Sequence, residues 1–268
     1  MIDRGKFNVL GVQISAVDYE AVVARVVRAA QSRQALGVSA LAVHGVMTGV
    51  GNRQHCYRLN QLDLVVPDGQ PVRWAINLLH RTRLADRVYG PSLMLQVCQA
   101  AADNQLPIFL FGSDVQTLDT LSQRLRLQFP QLQIAGSRPS LFRRLSADER
   151  QALIAEIKAS GAMITMVGIG CPRQEVWTYE FKDELCMPVL AVGAAFAFHA
   201  GQLAQAPIWM QARGLEWLYR FSREPMRLWK RYVLLNPAYL ILLALQALGL
   251  LTLRPARGQR PDAPLVYG

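Results

Sequence analysis

The chain of 268 residues is long enough to bury a large core, which suggests one or two domains and makes a soluble α/β body the default. An apolar fraction of 51% and a mean hydropathy of +0.14 are slightly high for such a body, so some segment is expected to meet lipid or a partner. The formal charge of +10 is uneven: Ala204 onward holds nine Arg or Lys against three Asp or Glu, an excess that points to anionic membrane, anionic ligand or nucleic acid.

The N-terminal stretch MIDRGKFNVLGVQIS lacks the apolar core of a signal peptide, so the body is expected in the cytoplasm. YEAVVARVVRAAQS repeats apolar residues at helical spacing, and LGVSALAVHGVM reads as a buried strand. In LDLVVPDGQPVRWAINLL, a strand over Leu62 to Val66 leads through a turn with Asp68 and Gly69 into a helix from Pro71. The same grammar then recurs: strand PIFLFGS, helix DVQTLDTLSQRLRLQF, strand LQIAGS, helix SADERQALIAEIKAS, strand AMITMVGIG, helix PRQEVWTYEFKDEL and strand PVLAVGAAFAF. Such alternation predicts a parallel sheet covered on both faces. Ser113 and Ser146 are the expected N-caps, and Pro172 sits where a first-turn proline is tolerated.

After FAFHAGQLAQAP the pattern changes to a helical, aromatic and basic segment that becomes strongly apolar. The division expected is an α/β catalytic domain over 1–203 and a helical appendage over 204–268. Ala238 to Leu253 is a run of 16 residues without charge, about 24 Å of helix at ~1.5 Å per residue. That is short of a hydrocarbon core of roughly 30 Å, so it reads as a monotopic or re-entrant anchor, or a helix buried against a partner, before a true span.

In parallel sheets, ligands gather at the carboxyl ends of the strands, where backbone amides and helix N-termini meet phosphate. VVPDGQ, FLFGSD and VGIGCPRQ are such ends, and they bring Gly112, Ser113 and Gly170 into consideration beside ordinary turn chemistry. Asp68, a carboxylate in a Gly-flanked turn, is the leading general base, with an Asx turn as the plain alternative and Asp63 as the weaker acid. Arg87 in ADRVYGPSLM is a phosphate ligand or a surface cation, and His44 faces the cleft or is a satisfied core histidine.

Cys56, Cys98, Cys171 and Cys186 form no CxxC pair and have no His nearby at metal spacing, which argues for a reducing compartment and gives no metal site. A helix N-terminus could activate Cys171, but no local base accompanies it, and packing in a tight turn is the favoured reading. GIGCPR lacks the third glycine of a dinucleotide fingerprint and the Gly-Lys-Ser of a P-loop, so neither NAD nor ATP is indicated and no cofactor is expected. Arg213, Arg220, Arg223, Arg227, Lys230 and Arg231 alternate with tryptophans and tyrosines, which suits a membrane surface and a diphosphate headgroup better than RNA.

The motifs LDLVVPDGQPVRWA, DRVYGPSLM, FLFGS, VGIGCPRQE and GAAFAFHAGQLAQAPIWMQARGLEWLYRFSREPMRLWKRYV resemble, in this order, the WecG/TagA/CpsF glycosyltransferases (glycosyltransferase family 26). The resemblance implies a Rossmann-like parallel sheet with flanking helices, of the GT-E type, and a helical C-terminal appendage that associates with membrane. It implies inverting transfer, without an obligatory metal, from a UDP-sugar to a polyprenyl diphosphate-linked sugar on the cytoplasmic face of the membrane, in cell-surface polysaccharide assembly. Donors of such enzymes carry N-acetylmannosamine, its uronic acid or glucose. Asp68 matches the proposed base, Arg87 an arginine that steadies phosphate charge, and Gln174 the glutamine of a loop near the donor. The tail cations Arg213, Arg220, Arg227, Lys230 and Arg231 would hold the acceptor diphosphate and the membrane.

Two departures leave the donor open. Ala42, Val43 and His44 stand where the family commonly has Thr-x-Asn, and Ala197 stands where it has an acid. They motivate a second reading, a catalytically inactive UDP-sugar sensor or scaffold at the membrane. A soluble oxidoreductase is a third, against which the missing glycine fingerprint speaks. The oligomeric state is open, a homo-oligomer included.

Overall fold

The computed structural model describes all 268 residues except the side chains of Arg227, Lys230 and Arg231, so three of the expected acceptor-binding cations lie outside the described residues. The chain opens with an antiparallel hairpin of β1 (Asp3–Val9) and β2 (Val12–Val17), an element the sequence reading did not anticipate. There follow α1 (Tyr19–Gln31), β3 (Leu36–Leu41), α2 (Val43–Gly51), α3 (Arg53–Gln61), β4 (Leu64–Pro67), α4 (Gln70–His80) and α5 (Gly90–Asp103). The second half of the body holds β5 (Ile108–Gly112), α6 (Val115–Gln128), β6 (Ile134–Arg138), α7 (Ala147–Ala159), β7 (Ile164–Gly168), α8 (Arg173–Leu185), β8 (Pro188–Ala191) and α9 (Ala195–His199).

Among the described residues, six strands form one parallel sheet in the order β4-β3-β8-β7-β5-β6, flanked by helices as expected. The side-chain period of two divides each strand between the layers. Ile108, Leu110, Met166 and Leu190 face the core under α1, α5 and α6, while Phe109, Phe111, Val167 and Val189 face the core under α7 and α8. A third core joins the hairpin to α2, α3 and α4. Trp177 is sandwiched between Phe111 and Phe181, with ring centroids 4.7 Å and 4.3 Å away, and this stack seats α8 on the sheet.

Three local expectations are corrected. The strand expected through Met47 ends at Leu41, because the amides of Gly45 and Val46 both donate to the Ala42 carbonyl and start α2, which places His44 in a first helical turn. The strand expected through Phe198 ends at Ala191; Gly193, at φ 58°, turns the chain, and Phe196 and Phe198 lie in α9. The cap of α6 is Asp114, whose carboxylate accepts from the Thr117 amide at 2.8 Å, and not Ser113. Ser146 does cap α7, in a reciprocal box with Glu149. Pro172 immediately precedes α8.

Beyond the body lie α10 (Ile208–Ala212), α11 (Glu216–Arg223), α12 (Pro225–Trp229), a π-helical segment Lys230–Leu235 and α13 (Asn236–Ala247). Among the described residues no helix is long and apolar enough to cross a membrane. The uncharged run is held partly by its own chain: Tyr239 and Leu243 are buried in the core of the hairpin, and Leu240 and Ile241 on the other face are 60% and 61% exposed. The last residues return to the body, where the Leu265 and Val266 amides donate to Glu180.

Candidate functional site

The carboxyl ends of β3, β4, β7 and β8 surround a cleft of about 390 Å³, at the point where the strand order reverses between β3 and β8. His44, Asp68, Ser113, Gly170 and Gln174 line it, so five of the residues singled out from sequence are brought together. A smaller cavity of about 110 Å³ adjoins it and shares His44, Asp68, Glu216 and Arg220, with Arg87 in its wall.

Asp68 follows β4 directly, and its amide donates to the Leu41 carbonyl at 3.2 Å, which ties the turn to the neighbouring strand. Its Oδ1 accepts from the Gly90 amide at 2.6 Å, at the start of α5. Gly90 permits that approach: a Cβ there would meet Oδ1 at 3.3 Å and the Ala40 Cβ at 3.2 Å. Burial pushes the Asp68 carboxyl up to about 6, against the opposing pull of Arg87 and the Gly90 amide. Asp63 has a different task at the opposite, amino-terminal end of β4, where it accepts from the Gly37 amide at 2.7 Å.

Arg87 donates to Glu216 at 2.7 Å, its guanidinium lies 4.2 Å from the centre of the Tyr89 ring, and the Tyr89 hydroxyl donates to the other Glu216 oxygen at 3.0 Å. Arg87 is therefore no surface cation. The structure adds Glu216 and Tyr89 to the site. Neither carried a signal in the sequence that pairs it with Arg87 beyond the closeness of Tyr89.

The VGIGCPRQE loop forms the facing wall. Gly170 takes φ 80° with open space where a side chain would stand, so backbone can approach a ligand there. Gln174 is 3% exposed; its Oε1 accepts from the Gly170 amide at 3.2 Å and its Nε2 donates to Glu175 at 3.0 Å. Gly112 serves a strand contact, since a Cβ there would lie 2.7 Å from the Gly168 carbonyl. Ser113 donates its amide to that same carbonyl at 3.1 Å. Ala42 and Ala197, the two departures noted in the sequence, both line the cleft.

Of the described tail cations, Arg220 enters the cleft, with its guanidinium 5.7 Å from the centre of the Phe198 ring. Arg213 is exposed and lies 5.8 Å from the Trp209 ring. The loop also meets a residue that the sequence reading did not single out: a ring nitrogen of His55, the Cys171 Sγ and a Glu175 oxygen lie within 4.8 Å of one another.

A carboxyl held near neutrality, a guanidinium, and a glycine loop at parallel strand ends together suit proton removal beside a phosphate. Residues 7–252 match the model of the Glycosyl transferase WecG/TagA/CpsF family. With the match spanning most of the chain and the fold that the motifs implied, the protein belongs to the WecG/TagA/CpsF glycosyltransferase family, whose members are membrane-associated and act in cell-surface polysaccharide synthesis.

Proposed function

We propose that the cleft transfers a sugar from a UDP-sugar to a polyprenyl diphosphate-linked sugar, with inversion at the anomeric carbon. The observation that carries this reading is the Asp68 carboxyl, pinned by the Gly90 amide at 2.6 Å and held near neutrality beside Arg87. Asp68 takes the proton of the acceptor hydroxyl as that oxygen bonds to the anomeric carbon. The carbon–oxygen bond to the diphosphate breaks on the opposite face, and its electron pair leaves with UDP.

Arg87 and Arg220 offset phosphate charge, which lets the transfer proceed without an obligatory metal. Gln174 and the Gly170 backbone contact the donor; Ala42, His44 and Ala197 shape its sugar pocket. Residues 1–203 act as the catalytic unit, and 204–268 bring the chain to the cytoplasmic surface of the membrane as a peripheral or monotopic protein. Support for that placement comes from exposed Ile208, Trp209 and Met226 beside exposed arginines. Release of UDP in the presence of a short-chain polyprenyl diphosphate-linked sugar tests the reading across a set of UDP-sugars.

A sensor reading draws on the same two alanines in the cleft wall. It expects UDP binding without UDP release for any donor and acceptor pair.

A further inference from the structure

We propose that His55, Cys171 and Glu175 form a binding site for one zinc-class divalent cation, open on its fourth side toward the cleft. His55 is distant in sequence from Cys171 and Glu175, and the three converge through α3, the turn after β7 and α8. Asn52 caps α3 and accepts from the His55 amide at 2.9 Å, which fixes His55 in the first turn. Cys171 lies in the turn after β7, and Glu175 lies in the first turn of α8 that follows it. One donor atom from each residue lies within 4.8 Å of the other two.

Two buried atoms in this cluster are orphaned. His55 is 3% exposed and its Nε2 has no hydrogen-bond partner among the described residues. Glu175 is 0% exposed; Ser39 and Gln174 both donate to its Oε1 and the Cys171 thiol hydrogen-bonds to the carboxylate, while its Oε2 is without a partner among the described residues. An unsatisfied buried polar atom costs about 1–3 kcal/mol, so two beside a thiol mark a place where a ligand would satisfy what the protein does not.

The donor set selects the ion. Imidazole, thiolate and carboxylate suit zinc, whereas magnesium demands oxygen ligands. Bonds of about 2.0–2.3 Å in a tetrahedron put donors roughly 3.5 Å apart, so a contraction of about 1 Å closes the site. Coordination releases the thiol proton to solvent. Cys171 and Glu175 line the cleft, which leaves the fourth position to water or a ligand oxygen. The inference rests on this geometry and not on the transfer reading.

The test is a titration of the chelator-treated full chain with Co²⁺, a spectroscopic substitute for zinc, following thiolate-to-cobalt absorption in the near ultraviolet. One Co²⁺ per chain should saturate the band, and Zn²⁺ but not Mg²⁺ should displace it. Cys171→Ser should abolish the band, and His55→Gln should weaken binding by about tenfold or more. Circular dichroism checks that each variant is folded. Absence of a band in the wild type, or its persistence in folded Cys171→Ser, overturns the site. So does a band lost with Cys186→Ser, because that exposed thiol would then be the ligand.

Discussion

Arg87, just before α5, and Glu216, at the start of α11, meet at 2.7 Å, with their side chains 8% and 13% exposed. Glu216 thus supplies the counter-ion of an arginine whose charge acts on the Asp68 carboxyl. In the proposed reaction a phosphate and the Glu216 carboxylate compete for the same guanidinium. Breaking a buried pair leaves a charge unbalanced, so Glu216→Gln should lower stability by about 1–3 kcal/mol. Inorganic diphosphate should then raise the melting temperature more in the variant than in the wild type. Equal gains in a thermal melt would show that Arg87 does not bind phosphate.

The Asp68 carboxyl gives a pH dependence of definite sign. Its folded value of about 6 lies above its ordinary value of 3.8, so the folded state holds a proton that the unfolded state has lost between those limits. Stability therefore falls as pH rises from about 4 to 6, and the penalty stays in place above that. Asp68→Asn should remove it and raise the melting temperature by a few degrees at pH 7.5, an advantage that vanishes below about pH 4. The wild-type rate should decline as pH falls through about 6, where the base becomes protonated. A rate that is flat down to pH 5 would exclude Asp68 as the titrating base.

Gly90→Ala tests the close approach at the start of α5. The new Cβ would stand 3.2–3.3 Å from the Ala40 Cβ, the Asp68 Oδ1 and the Val192 carbonyl. An expected loss of about 1–3 kcal/mol from overpacking should accompany a drop in turnover of at least tenfold, because the Asp68 hydrogen bond lengthens. Chemical denaturation and UDP release measure the two effects.

Leu240 and Ile241 are exposed on α13 while Tyr239 and Leu243 pack it into the core of the hairpin, which makes the exposed pair the test of the proposed membrane contact. Replacing both exposed residues by Glu should leave the melt unchanged and weaken binding to anionic vesicles by about tenfold or more. Salt should weaken the part due to arginines and leave the apolar part. Vesicle binding unaltered by the double substitution would place the docking face elsewhere. Removing everything from Arg213 is a poorer test, since it would uncover the core that Tyr239 completes.

The parallel sheet was legible because its central strands are continuous apolar runs and its helices repeat with a helical period. Ile108 to Phe111 serves two cores by alternation, which a buried strand achieves without any polar residue to mark its faces. The strand ends were less legible. His44 and Phe196 lie in apolar stretches that read as strand, and the change to helix is made by backbone bonds to Ala42 and by Gly193. The hairpin escaped notice because β1 carries Asp3, Arg4, Lys6 and Asn8 and alternates poorly.

Asp68, Arg87 and Gln174 could be found from sequence because each sits in a short motif at a strand end or helix start. Glu216 and His55 could not be placed, because Arg87 and Cys171, the residues they lie near, are 129 and 116 positions away along the chain. Contacts of that range follow from the fold and not from spacing. The C-terminal apolar run shows the same limit: hydropathy marked it, but only packing reveals which face its own chain covers.

The central claim is that Asp68 is the base of a sugar transfer. The direct measurement is UDP release by folded Asp68→Asn against wild type, with a short-chain polyprenyl diphosphate-linked sugar as acceptor and the UDP-sugar that the wild type uses. A loss of about 10² or more in kcat, with UDP affinity retained, is the predicted result. Wild-type turnover by the folded variant would contradict it.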